Sequence, residues 1–319
     1  SYQFNVGADM AFWNNRIQLS ASYYRYLSKG TLTDVTLPPS LGYTTYRENL
    51  GEVENKGYDL DMRITLWKQR NSWVNLILSG VYNKNTLKKI SNSLKAWNEE
   101  QDRSTEEDWN SQEVTTPKVR YIEGESINTI WGLPSLGINP ANGKEIFVAL
   151  DGSKIDEYQV SEIQPIGCTD PKLEGNLGLD AGWKGLQLSV YFRYRIGGEL
   201  YNETLVNRIE NADKRYNTDR RVLEARWTNP GDITFFKDVK DETYTRPTSR
   251  FVVDYNYLQL TSLNLSYDFP DKLVKRIGME NLRLSFSMND VFQASSVKQE
   301  RGLDYPFARA FRTSLRVIF

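Results

Sequence analysis

The sequence predicts an all-β chain, an antiparallel β-barrel wall that crosses a membrane. Three observations carry this. Apolar residues recur at every second position in segment after segment, which is the period of a strand with one apolar face. Tight turns alternate with long polar excursions. No apolar run approaches the roughly 18 residues a spanning helix needs, whereas a transmembrane strand hides from that criterion because only its alternate residues meet lipid.

Tyr2, Phe4, Val6, Ala8, Met10 and Phe12 alternate with Gln3, Asn5, Gly7 and Asp9, and after a turn at Asn14 and Asn15 the pattern resumes with Ile17, Leu19, Ala21 and Tyr23. These two strands form a hairpin. Tyr58, Leu60, Met62, Ile64 and Leu66 precede a turn at Arg70 and Asn71, and Val74, Leu76, Leu78 and Tyr82 follow it. Leu177, Leu179 and Ala181 run through a turn at 182–185 into Leu186, Leu188, Val190, Phe192, Tyr194 and Ile196. Here Leu186, Val190 and Phe192 are expected to face lipid, and Gln187, Ser189 and Arg193 to face inward. From Phe251 to Phe269 the apolar phase changes between Leu260 and Leu263, which predicts a bulge or a change of environment near Thr261. Leu282, Leu284, Phe286 and Met288 follow, and Tyr305, Phe307, Phe311, Leu315, Val317 and Phe319 form the last outward face.

This gives about nine strands, with residues 1–319 read as one portion of a barrel. The long connections fall near 28–56, 84–173, 197–250 and 293–304, all at one end. A soluble sandwich has no reason to segregate loop length by end, whereas outer-membrane barrels have short periplasmic turns and long extracellular loops. The C-terminus falls on the short-turn side. Nine strands put the first and last in the same direction, so they cannot close on themselves, and further N-terminal strands are expected to complete the wall. Tyr82, Trp183, Tyr194 and Tyr267 near strand ends fit interfacial girdles.

Composition excludes several function classes. The 319 residues include 40 Lys and Arg against 41 Asp and Glu, so no cationic field exists for nucleic acid. There is no histidine and one cysteine, Cys168. An internal disulfide, Ser-His-Asp catalysis and the usual zinc ligand sets are therefore absent. Cys168 reads as a small loop residue rather than a nucleophile, since no histidine can activate it. No enzyme activity, cofactor or metal is expected.

Five phrases occur in order: NLGEVENKGYDLDM from Asn49, WGLPSLGINPANGK from Trp131, RWTNPGDIT from Arg226, SRFVVDYNYLQLTSLNLSYDFP from Ser249, and YPFARAFRTSLRVIF to the end. Their order and wording resemble the C-terminal barrel half of the SusC/RagA family of TonB-linked outer-membrane proteins of the Bacteroidetes. The resemblance covers nearly the whole chain. It implies an approximately 22-stranded barrel in the bacterial outer membrane, a plug domain that contacts TonB and is not in this sequence, and a SusD-like surface lipoprotein over the extracellular loops. The implied activity is import of an oligosaccharide or oligopeptide. A TonB-dependent receptor for a siderophore or cobalamin shares the barrel, and a surface-binding β protein that transports nothing is a reading from another class. The aromatic C-terminus, with Leu315, Val317 and Phe319, resembles the signal read by the barrel-assembly machinery.

Candidate substrate contacts are the loop aromatics Trp97, Trp109, Trp131, Tyr201, Trp227 and Tyr244, because flat rings stack on sugar faces or apolar side chains. The competing reading is that they knit the loops together. Arg193 and Arg195 face inward and suit an acidic substrate, or simply solvate a polar lumen. Gly51 and Gly57 read as backbone freedom where a strand begins. Asp232, after Pro230 and Gly231, reads as a turn residue, and the acidic stretch Glu99, Glu100, Asp102, Glu106, Glu107 and Asp108 as a solvated loop.

Overall fold

The computed structural model describes residues 1–30, 32–36, 45–49, 51–107, 115–213, 215, 217–298 and 309–319. Nine strands follow one another in a single antiparallel sheet: β1 Tyr2–Phe12, β2 Ile17–Lys29, β3 Glu52–Gln69, β4 Ser72–Lys89, β5 Leu173–Trp183, β6 Leu186–Ile196, β7 Tyr257–Asp268, β8 Asn281–Ser295 and β9 Phe311–Ile318. Each pairs with its neighbours in sequence order, and all four short links lie at one end. Two of them, Arg70–Asn71 and Lys184–Gly185, are two residues long; in the second, φ is 46° and 92°, so both positions sit in the left-handed region that suits a two-residue hairpin turn and where glycine costs least.

Register makes the sheet two-faced. Paired residues share a face, so the row Asp9, Ser20, Asp61, Ser79, Asn176, Arg193, Gln259 and Gln293 crosses eight strands on one side. The next row, Met10, Leu19, Met62, Leu78, Leu177, Phe192, Leu260 and Phe292, crosses the other. Ile77 and Val81 are apolar exceptions on the polar side. Leu186, Val190 and Phe192 fall on the apolar face and Gln187, Ser189 and Arg193 on the polar one. A one-residue slip in any strand would exchange its two faces, so the register is strongly specified.

The phase change read near Thr261 is a bulge. Both neighbours of β7 shift register between Leu260 and Ser262, and the Thr261 hydroxyl donates to the Tyr191 carbonyl at 2.9 Å. Strand glycines are covered by rings from the adjacent strand. The Tyr191 ring lies over Gly178 so closely that a Cβ there would meet it at 2.6 Å, and Trp73 covers Gly182 in the same way.

Two boundaries differ from the sequence reading. The strands run on to Lys29 and Lys89 and begin at Glu52, beyond the apolar alternation, because backbone pairing continues where both faces are polar. Within the excursion near 84–173, residues Asn92–Glu107 form a helix carrying Glu99, Glu100, Asp102, Glu106 and Glu107, which the sequence placed in a loop. Ser91 caps it, its hydroxyl accepting from the Leu94 N–H at 3.2 Å, and Leu94 anchors it against Val53, Leu87 and Ile90. Asp108 lies outside the described residues.

The sheet has almost no core of its own. Val6, Phe12, Leu60, Leu66, Leu186, Leu265, Leu284 and Leu315 on its apolar face are exposed, while Ile130, Tyr201, Val206, Ile209, Phe236 and Phe251 are buried together in the long connections. Soluble monomers rarely expose an apolar patch beyond a few hundred Å². Tyr194 to Leu186 along β6 is eight steps, roughly 27 Å at strand rise, or about 19–22 Å along the membrane normal at a tilt of about 35–45°, most of the ~25 Å apolar band of an outer-membrane barrel.

Candidate functional site

The connections between β4 and β5 and between β6 and β7 pack into one polar module at the long-loop end. Short antiparallel pairs frame it: Thr129–Gly132 with Gln164–Cys168, Ser135–Ile138 with Glu145–Val148, and Glu199–Tyr201 with Val252–Asp254. Phe251 is fully buried at the centre, edge-on to Tyr201 at 6.2 Å and to Phe235 at 5.7 Å.

Buried charge holds the module together. Arg250 donates to both oxygens of Glu145 at 3.0 and 2.7 Å, to Glu210 at 2.7 Å and to the Phe235 carbonyl at 2.6 Å, with its guanidinium 4.5 Å from the Phe251 ring centroid. Side-chain exposure of Arg250 and Glu210 is 3% and 0%. Burial opposes the charge on Arg250, but the two carboxylates outweigh it and raise the pKa further above the ordinary arginine value. Glu210 also accepts from the Thr245 hydroxyl. Arg226 is buried too, donating to the carbonyls of Val222, Lys237, Ile209 and Glu210. With no carboxylate in that list, burial lowers its pKa from the ordinary value. The fork geometry of arginine suits both tasks, since it supplies five planar donors to fixed acceptors.

The sequence-predicted residues are placed as follows. Tyr201 is buried and its hydroxyl donates to the Thr115 carbonyl at 3.1 Å. Trp131 is 3% exposed. Trp97 packs on the helix core with Tyr121, ring centroids 5.5 Å apart. Trp227 donates from Nε1 to the Pro140 carbonyl at 2.9 Å and lies against Gly143, so the NPANG turn seats on its ring. These four rings are woven into the loop fabric. Tyr244 is 37% exposed, and Trp109 lies outside the described residues. Arg193 is on the polar face 3.4 Å from Glu174; Arg195 donates to the Thr169 carbonyl and lies over the Tyr255 ring at 5.3 Å. Asp232 accepts from the N–H groups of Thr228 and Asn229 and from the Thr228 hydroxyl, the bonding of a turn residue. Arg226, which opens one of the five phrases, and Arg250, the second residue of another, have large structural roles, and the sequence reading assigned them none.

Cys168 ends a loop strand, its N–H donating to Glu199 at 2.7 Å. Burial pushes the thiol up, so it holds less thiolate at neutral pH than an ordinary cysteine. We expect maleimide labelling at pH 7 to be severalfold slower than at a cysteine introduced at exposed Leu223, to rise at higher pH, and to become fast on unfolding. Equal rates in the folded protein would contradict the burial.

A sheet that is polar on one face, apolar and bare on the other, with its buried core displaced into its connections, is the wall of a transmembrane β-barrel. Comparison with known proteins agrees. No protein-family model matches the chain. It is 26% identical over 313 residues to TonB-dependent receptor P3 of Formosa agariphila, covering 90% of this chain and 29% of that protein. It is 25% identical over 295 residues to TonB-dependent receptor P26 of the same organism, covering 88% and 28%. In fold it matches the RagAB peptide importer in its open-open state, with a TM-score of 0.75 at 20% identity over 99% of this chain and 34% of that one. The closed-closed state matches with the same TM-score at 21% identity. The chain therefore resembles the barrel portion of the SusC/RagA proteins, as its phrases implied. It spans about three tenths of the length of the receptors it matches.

Proposed function

We propose that this chain supplies wall and loops to a TonB-dependent importer of an oligopeptide or oligosaccharide in the outer membrane. The observation that carries the reading is the inverted distribution of polarity. The polar rows line a lumen, the apolar rows meet lipid, and the module at the long-loop end faces outward. The receptor relatives favour TonB-driven uptake, and likeness to a peptide importer favours a peptide over a glycan. Loops held by buried charge present a rigid rim on which a SusD-like surface lipoprotein closes. On this reading energy reaches the barrel through TonB and a plug domain.

The test is uptake of fluorescent oligopeptides and oligosaccharides by cells expressing the full-length receptor, compared with a deletion strain and with cells whose proton-motive force is collapsed. Energy-dependent uptake of one class supports the reading. Uptake only of a ferric chelate or cobalamin would shift it to the rival receptor, and no energy-dependent uptake of any class would end it.

The C-terminal strand carries a separate expectation. Phe311, Thr313, Leu315 and Val317 share the apolar face through their pairing with Met288, Phe286, Leu284 and Leu282. Tyr305 and Phe307 lie outside the described residues. Deleting Arg316 to Phe319 removes the pairing of Arg283, Leu282 and Asn281 and bares polar backbone to lipid. We expect heat-modifiable folded receptor in outer-membrane fractions to fall severalfold, while shortening a surface loop leaves it intact. Unchanged amounts would contradict a role of this terminus in assembly.

A further inference from the structure

Among the described strand residues of the apolar face, cations cluster at the long-loop end, whereas at the turn end one lysine, Lys184 of the turn itself, lies over the Trp183 ring at 5.2 Å. One row above the ring ladder of Tyr23, Tyr58 and Tyr82, whose successive centroids are 5.1 and 6.4 Å apart, the same face presents Arg25, Lys56 and Lys84 on adjacent strands. Lys29 and Lys88 extend the group. Among the described residues, Glu52 and Glu54 oppose them there. Glu52 pairs with Lys29 at 3.1 Å; Glu54, almost fully buried, accepts from Arg25 at 2.8 Å and meets Lys88 at 3.2 Å. Lys56 and Lys84 are exposed and form no ion pair among the described residues. Adjacent strands set the Arg25, Lys56 and Lys84 backbones about 5 Å apart, a spacing at which several cations reach one phosphate cluster. At the short-turn end the corresponding row is Gln69, Ser72, Trp183, Leu186, Tyr267, Leu284 and Leu315, with no charge.

We propose that Lys56 and Lys84, with Arg25 beside them, bind the phosphorylated headgroup of an outer-leaflet lipid whose acyl chains lie on the apolar face below the tyrosine ladder. The proposal rests on the reading that this face meets lipid and that the long loops are outside. A purely solvated lysine row explains neither the asymmetry between the two ends nor the position directly above the aromatic ladder, which is where interfacial rings place headgroups. The two carboxylates present are already neutralised, so the remaining charge is complementary to anionic phosphate. Arg25 is held in place by Glu54, and Lys56 and Lys84 follow it on the next two strands as the donors without an ion pair among the described residues.

The experiment uses the full-length receptor in phosphatidylcholine nanodiscs doped with bisphosphorylated lipid A, with bound lipid read by native mass spectrometry. Lys56→Gln with Lys84→Gln should lower lipid A affinity about thirtyfold, at about fivefold per interfacial charge at low salt, and leave dephosphorylated lipid A unaffected. The turn-end pair Lys184→Gln with Lys275→Gln should change nothing. Equal binding by the wild type and the Lys56/Lys84 variant overturns the proposal, as does an equal loss in the turn-end control. Binding of inorganic phosphate alone, lost in the same variant without any loss of lipid, overturns the lipid as the source. Heat-modifiability confirms that each variant is folded. Quenching of Tyr58→Trp by brominated lipid tests the underlying reading separately. No quenching means the face does not meet lipid, whereas quenching with unchanged lipid A binding defeats the headgroup site alone.

Discussion

Replacing Arg250 with methionine should open the loop module while leaving the barrel intact. Glu145 and Glu210 would then be buried without their shared partner, and breaking one member of a buried charge set costs about 3–5 kcal/mol. The two carboxylates come from different connections, so the loss falls on the tie between them. Limited proteolysis of the full-length receptor should show rapid cleavage between residues 133 and 254, with heat-modifiability of the barrel retained. Adding Glu145→Gln and Glu210→Gln to the methionine variant should restore part of the protection, because neutral amides are far cheaper to bury than unpaired carboxylates. Wild-type protection in the single variant would show that the network is not what holds the module.

The second large effect separates the two faces of β6 at adjacent positions. Val190 lies midway along the apolar band between Tyr194 and Leu186, paired with Leu179 and Leu263; Ser189 lies on the opposite face with Asp180 and Asn264. Val190→Arg should destabilise the barrel by about 2–4 kcal/mol, the cost of a cation at mid-bilayer depth, and lower the folded fraction recovered from outer membranes. Ser189→Arg should change stability little and act on what passes the lumen. Denaturant unfolding in lipid vesicles measures both. Equal costs at the two sites, or the larger cost at Ser189, would reverse the assignment of faces.

The wall was legible in the sequence because its determinant is local. Alternation from Leu186 to Ile196 requires only neighbours two residues apart, and even the bulge at Thr261 announced itself as a change of phase. The loops obey a different logic. Arg250 finds Glu145 at a separation of 105 residues and Glu210 at 40, and no periodicity links such positions. A buried arginine reads in sequence like any solvated one. The helix at Asn92–Glu107 was obscured by its acidic composition, although Ser91 ahead of Leu94, Lys95 and Ala96 is a capping signal that could have revealed it. The partners of the loop aromatics are equally distant in sequence. The carbonyls that accept from Trp227 and Tyr201 lie 87 and 86 residues away.

The pairing of Tyr191 with Gly178 also bears on how such a wall can change over generations. The ring occupies the space a side chain at Gly178 would need, and its hydroxyl is held by Asp180 at 2.7 Å. A side chain gained at Gly178 evicts the ring and strips Asp180 of its donor, whereas a smaller residue at Tyr191 leaves bare backbone on a glycine strand. Each single step is penalised, so the two positions should drift together. Among diverged receptors, a larger residue at the first site should coincide with loss of the aromatic at the second, leaving a paired signature on a face where lumen chemistry is otherwise free to vary.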